Sequence, residues 1–172
     1  MEINSRAARD SVKEAFFLSF DHSRVLNLLF PRFKPVGEER IGEGTHFEVY
    51  LLKTSPLKLV AKVPKPTFFF DQDVRAWFRA IETLQNADWA LMPPLAFIET
   101  GEEWVMIMPY CPKKALTAEY SDVILAGQNH LDKLGLTIGD LWQIYCCQGV
   151  PFVVDLSDLR SACPSHSRHR RR

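Results

Sequence analysis

The sequence predicts an α+β protein in which a five-stranded antiparallel sheet comes first and a helical part comes after it. Three observations lead there. Five short apolar, strand-like runs lie between residues 39 and 109, punctuated by glycine and proline. A single stripe of helical periodicity separates the third run from the fourth, and a second helical stripe comes after the fifth.

In chain order, residues from about Ser5 to Phe30 read as helical in two pieces, divided near Asp21-His22-Ser23 and closed by Pro31. Ala8, Val12, Ala15, Phe16 and Phe20 recur at helical spacing, so this segment is expected to pack as an extra layer on the region of the glycine turn. Strands are expected at Glu39 to Glu43, Phe47 to Lys53 and Leu57 to Val63, the last two joined by a turn at Thr54-Ser55-Pro56. Pro64 and Pro66 end this run.

Asp71 or Asp73 caps the next helix, whose apolar stripe is Val74, Trp77, Phe78, Ile81 and Leu84. Leu91 to Thr100 and Trp104 to Pro109 read as a hairpin about Gly101-Glu102. Thr117 is placed to cap a further helix carrying Tyr120, Val123, Ile124, Leu131 and Leu134, with Gly135 as its stop. Leu136 to Leu159 is short, apolar and turn-rich.

Composition narrows the class of partner. The 172 residues suffice for one domain, or one and a small appendage, and 47% apolar content supports a real core. Twenty-one basic and twenty-one acidic residues leave no net charge, so no global pull toward nucleic acid or an anionic membrane exists and neither partner is expected. The basic end, Ser165 to Arg172, reads as a solvated tail. No run approaches the ~18 apolar residues of a membrane span, and Met1-Glu2-Ile3-Asn4 does not open a signal pattern. Cys111, Cys146, Cys147 and Cys163 show neither zinc-site nor disulfide-framework spacing. A cytoplasmic protein whose thiols serve mostly as small apolar residues is expected.

The most informative stretch is Ile41-Gly42-Glu43-Gly44-Thr45-His46-Phe47-Glu48-Val49-Tyr50, with Leu59-Val60-Ala61-Lys62 after it. Glycines let backbone N–H groups approach an anion closely, and a strand-end lysine adds a compact ammonium. A phosphate cover with a cation beneath it fits this pattern; a plain hairpin turn is the alternative.

The order of these motifs resembles the protein kinase superfamily in a compact, divergent form. Gly42-Glu43-Gly44 with Val49 is similar to the glycine-rich loop over ATP, although Phe47 stands where the family has a third glycine and is expected to stiffen the loop and enlarge its tip. Lys62 resembles the third-strand lysine on the α- and β-phosphates. The resemblance implies that Glu82, on the next helix, holds Lys62; a solvated-face glutamate is the other reading.

Met106-Ile107-Met108-Pro109-Tyr110-Cys111-Pro112 resembles the fifth strand and hinge. Met108 would back the adenine pocket, the Pro109 carbonyl would accept from the adenine amino group, and the Cys111 N–H would donate to the ring. Ile138-Gly139-Asp140-Leu141 resembles the catalytic loop, with Asp140 as the base; a helix N-cap is its alternative role. Tyr145 stands near the place of the magnesium-binding asparagine, leaving Gln143 as a substitute in a shortened loop. Asp155, in Pro151-Phe152-Val153-Val154-Asp155-Leu156-Ser157, resembles the metal-binding aspartate. Asp158 reads as a capping or solvated residue.

The organisation implied is an N-terminal helical extension over residues 1–36, a kinase-like N-lobe with hinge over 37–111, a much reduced helical C-lobe over 112–160, and a basic disordered tail over 161–172. ATP and Mg²⁺ are the implied cofactors. The activity implied is transfer of the ATP γ-phosphate to a hydroxyl of a protein or small-molecule acceptor. A pseudokinase acting as a protein-binding module is the alternative, and a reduced second lobe calls for an oligomer or protein partner to cover it.

Overall fold

The computed structural model describes residues 6–21, 39–101, 103–115, 118–139 and 143–162. Asp140, Thr117, the second N-terminal helical piece and the tail from residue 163 lie outside the described residues.

The α+β architecture and the five-stranded antiparallel sheet are present. Strands β1 (Glu39–Glu43), β2 (Phe47–Leu52), β3 (Leu59–Pro64), β4 (Ala96–Thr100) and β5 (Glu103–Pro109) lie in the order β1-β2-β3-β5-β4. Each neighbouring pair is antiparallel, with Val49 opposite Lys62 and Lys62 opposite Met106. The alternation of strand side chains divides the sheet into two apolar faces. Leu59, Ala61, Val105 and Ile107 belong to one buried cluster, and Val60, Trp104, Met106 and Met108 to the other.

A helix covers each face. Helix α1 (Arg6–Ser19) contributes Val12 and Phe16 to the first cluster, as its periodicity predicts. The Ser19 hydroxyl then accepts from Leu57 N–H at 2.7 Å, fixing the end of α1 to the β2–β3 turn. On the opposite face, helix α3 (Val74–Asn86) buries Trp77, Ala80, Ile81 and Leu84. Asp73 is its cap, its carboxylate accepting from Ala76 N–H at 3.0 Å.

One element was not anticipated: helix α2 (Pro66–Asp71) precedes α3. Pro66 sits in its first turn, where the missing N–H has no intrahelical partner to lose. Proline thus ends the strand and starts a helix. Phe68 of α2 is fully buried and joins Phe47, Trp77 and Trp104 in an aromatic cluster. Trp77 stacks on Trp104 at 5.4 Å, and Phe47 lies 5.0 Å from Phe68. Such ring pairs contribute about 0.5–1.5 kcal/mol each beyond their buried area.

After β5 the described chain is mixed, with more strands than a helical lobe would carry. Helix α4 (Ser121–Lys133) comes after a 3-10 turn (Ala118–Tyr120) and stops at Gly135, whose φ of +65° suits glycine. Strands β6 (Lys113–Lys114), β8 (Ile144–Cys147) and β9 (Val150–Val153) form a small sheet, and β7 (Leu136–Thr137) pairs with β10 (Arg160–Ser161). Ser161, which the sequence places in the tail, is therefore a strand residue opposite Leu136. The β8–β9 turn uses Gln148 and Gly149, both at positive φ, as a tight hairpin requires. Among the described residues no helix is long and apolar enough to cross a membrane.

Candidate functional site

The inner face of the sheet does not close on itself. Between the β1–β2 loop, β3, the end of β5 and the segment after β9 lies a cleft of about 430 Å³. Gly42, Gly44 and Val49 form its cover, and Lys62 projects from β3 beneath them. Met108, Pro109 and Cys111 form one end, and Gln143 and Asp155 border the side across from the sheet. Nine of the eleven sequence-predicted site residues thus share one cavity.

Lys62 is the centre of this arrangement. It is only 7% exposed, and its ammonium donates to the Val154 carbonyl and lies 5.9 Å from the Phe47 ring centroid. Burial drives its pKa down, and the negative charge of Asp155 opposes that shift. Asp155 is delivered by β9: Val153 N–H donates to the Leu91 carbonyl and Val154 N–H to the Gln143 carbonyl, each at 2.9 Å. The Asp155 carboxylate itself accepts from Ser157 N–H at 2.9 Å, which bends the chain just beyond it. A buried cation and a carboxylate therefore converge on a space large enough for a small molecule.

At the other end, Met108 is fully buried behind the cleft. The Tyr110 N–H is committed to the Lys58 carbonyl at 2.9 Å. By the alternation of an extended chain, the flanking Pro109 carbonyl and Cys111 N–H are directed away from β3. The Cys111 thiol contacts that Pro109 carbonyl at 3.7 Å.

The cover is anchored more firmly than its glycines imply. Gly44 N–H donates to the Phe47 carbonyl at 2.9 Å, so in this conformation that amide is engaged within the loop. Residues of and before α2 hold the rest. Lys65 bonds Glu43 and the Gly44 carbonyl, Thr67 Oγ1 donates to the Thr45 carbonyl at 2.5 Å, and Lys65 N–H donates to the His46 carbonyl at 2.8 Å. His46 Nε2 lies 3.0 Å from Asp71, and its Nδ1 lies 3.9 Å from Asp158.

Two expectations are corrected. Glu82 does not meet Lys62: it lies exposed on α3, and the Lys62 ammonium donates to the Val154 carbonyl with Asp155 as the opposing charge. The reason is helical phase, since Trp77, Ala80, Ile81 and Leu84 define the inward face and Glu82 is turned about 100° from Ile81. Phe47 does not enlarge the tip of the loop. It turns inward, 3% exposed, into the aromatic cluster.

Sequence reasoning also missed two residues. Trp77 stands behind the cleft and holds the chain next to Asp155 from α3, its indole N–H donating to the Leu156 carbonyl at 2.7 Å. Its signal was present, because a tryptophan in an apolar stripe needs a partner for its N–H. His46 borders the cleft between two aspartates far from it in sequence, and no local pattern marks that role.

Among the described residues no group of three or more His, Cys, Asp or Glu side chains is placed to hold a metal ion. No family model matches the chain, and no curated protein matches it. The chemistry of the site therefore rests on its own geometry.

Proposed function

We propose that the chain is a kinase-like ATP-binding protein, and that magnesium-dependent transfer of the γ-phosphate to a hydroxyl is its chemistry. The observation that carries the reading is the buried Lys62 ammonium beside Asp155, in a cleft of about 430 Å³ under the Gly42-Glu43-Gly44 loop. A buried ammonium gains from an anionic ligand, and phosphate oxygens are suited to it.

Each residue then has a task. Lys62 orients the α- and β-phosphates. Met108 limits the depth of the adenine end, while the Pro109 carbonyl and the Cys111 N–H recognise the base edge. Gly42 and Val49 cover the nucleotide from the sheet side. Asp155, with the Gln143 side chain, would hold magnesium, which is commonly bound by one or two carboxylates completed by phosphate oxygens. When bound, magnesium supplies charge neutralisation at the transferring phosphate. Asp140 is assigned the base role on the strength of the sequence motif. Positioning and charge stabilisation account for most of the rate gain in this chemistry.

A second reading, a pseudokinase that binds nucleotide and acts through a protein partner, is favoured by two observations. Glu82 leaves Lys62 without a glutamate from α3, and the loop is pinned by α2 with its Gly44 amide engaged. Turnover separates the readings. Release or transfer of labelled γ-phosphate by the wild type, lost in Asp140→Asn while nucleotide binding persists, supports the enzyme. Nucleotide binding without turnover in the wild type supports the pseudokinase. Absence of nucleotide binding overturns both.

A further inference from the structure

His46 belongs to the β1–β2 loop and lines the cleft, and its side chain is 11% exposed. Its two ring nitrogens face carboxylates from two other parts of the chain. Nε2 lies 3.0 Å from Asp71 Oδ2, at the end of α2. Nδ1 lies 3.9 Å from Asp158 Oδ1, in the turn after β9, within reach of an ion pair but not of a hydrogen bond. Asp158 packs in turn against Gly139, where an added Cβ would lie 3.2 Å from Oδ2. One side chain of the cover thus meets α2 on one side and the wall across from the sheet on the other.

The other charges near the ring are committed elsewhere. The Lys65 ammonium bonds Glu43 and the Gly44 carbonyl, while the Lys65 N–H donates to the His46 carbonyl at 2.8 Å. Lys62 donates to the Val154 carbonyl, and the Asp155 carboxylate accepts from Ser157 N–H. The remaining neighbour is the Phe68 ring, set edge-on with centroids 6.0 Å apart. Asp71 and Asp158 are therefore the charges that the imidazole meets directly.

We propose that His46 is a proton-operated clasp that closes the glycine loop onto the turn carrying Asp158. A neutral imidazole has one N–H, so it donates to one carboxylate and turns a lone pair toward the other. An imidazolium donates from both nitrogens and sets its charge between both carboxylates. Histidine changes charge between about pH 5 and 8, whereas aspartates ordinarily titrate well below that range. Gain of the proton strengthens the bridge to Asp158 and draws the cover toward the opposite wall. Loss of the proton releases it. The clasp consists of the chain's own residues, so it stands whether or not the cleft takes a nucleotide. Where a ligand does enter, the closed clasp restricts its passage under the loop.

Amide hydrogen exchange of the native chain, followed by NMR at Gly44 and Lys65, reports opening of the loop. The Gly44 N–H bonds the Phe47 carbonyl, and the Lys65 N–H bonds the carbonyl of His46 itself. Wild type and Asp158→Asn are compared with each other at about pH 5 and again at about pH 8, so the intrinsic pH dependence of exchange cancels. At the lower pH both amides should exchange about two- to fivefold faster in the variant, as expected for loss of a partly exposed ion pair. At the higher pH the two proteins should exchange alike. In a His46→Gln background, Asp158→Asn should change neither rate at either pH. Equal exchange at the lower pH, a difference that does not shrink at the higher pH, or an Asp158→Asn effect that persists without His46 overturns the proposal. The Asp158 side chain is 44% exposed, so its replacement by asparagine leaves the core intact.

Discussion

Trp77 and Leu156 are joined by a 2.7 Å hydrogen bond from the indole Nε1 to the main-chain carbonyl. Trp77 is 1% exposed and Leu156 is fully buried, so neither group has water as an alternative partner. The bond fixes the chain one residue beyond Asp155 to helix α3, and the position of that carboxylate depends on a helix that does not itself border the cleft.

Trp77→Phe keeps a ring in the aromatic cluster and removes the donor. The Leu156 carbonyl keeps the Leu159 N–H as a partner at 3.1 Å, so loss of the indole bond should cost about 0.5–1.5 kcal/mol, read by urea unfolding. Nucleotide affinity in the presence of magnesium should fall more than affinity in its absence, because Asp155 is the group released. Affinities of Trp77→Phe that match the wild type's, both with and without magnesium, would show that the bond serves stability alone.

Lys62 links the site to pH. Its folded-state pKa lies below the ordinary 10.5 because burial disfavours the ammonium. Between the folded and unfolded values the unfolded chain holds more protons, so the stability attributable to Lys62 rises with pH across that window. Below the folded value the penalty is fully present. Urea unfolding of wild type and Lys62→Met at about pH 7 and about pH 10 isolates this linkage from other titrations. The wild type should gain stability relative to Lys62→Met at the higher pH. A constant difference, or one of opposite sign, contradicts the buried ammonium.

Gly127 of α4 packs where a side chain does not fit. An added Cβ would meet Leu91 Cδ1 at 2.4 Å and Cγ at 3.2 Å, and Leu91 is fully buried. The Gly127 carbonyl also accepts from the Trp89 indole N–H at 2.9 Å. Alanine gains up to about 1 kcal/mol in helix propensity, but overpacking of this kind costs about 1–3 kcal/mol. Gly127→Ala should therefore destabilise the fold. The double variant with Leu91→Ala should lose less than the sum of the two single losses, as measured by a thermodynamic cycle.

Strands β3 and β5 were readable because both of their faces are buried, making Leu59 to Ala61 and Trp104 to Met108 continuous apolar runs in strands that end in proline. Asp73 announced α3 through its chemistry as a cap. Helix α2 was hidden because Pro66 reads locally as a breaker, whereas here it opens the helix and the burial of Phe68 holds that helix in place. Within the cleft, the glycines, Lys62, the β5 end and Asp155 could be found from strand ends and turn residues. Glu82 could not be placed, because a residue at the edge of an apolar stripe faces core or solvent according to what packs beside it. His46 depended on Asp71 and Asp158, contacts that tertiary structure alone creates.

Under the proposed function, Lys62 and Asp155 hold the phosphates and magnesium of ATP. Isothermal titration of ATP, with and without magnesium, into wild type, Lys62→Ala and Asp155→Ala tests this most directly. The wild type should bind ATP, more tightly with magnesium, and Lys62→Ala should lose about tenfold or more in affinity under both conditions. Asp155→Ala should lose the magnesium enhancement and little else. A wild type that binds no ATP, or variants that bind it as the wild type does, would contradict the assignment of both residues.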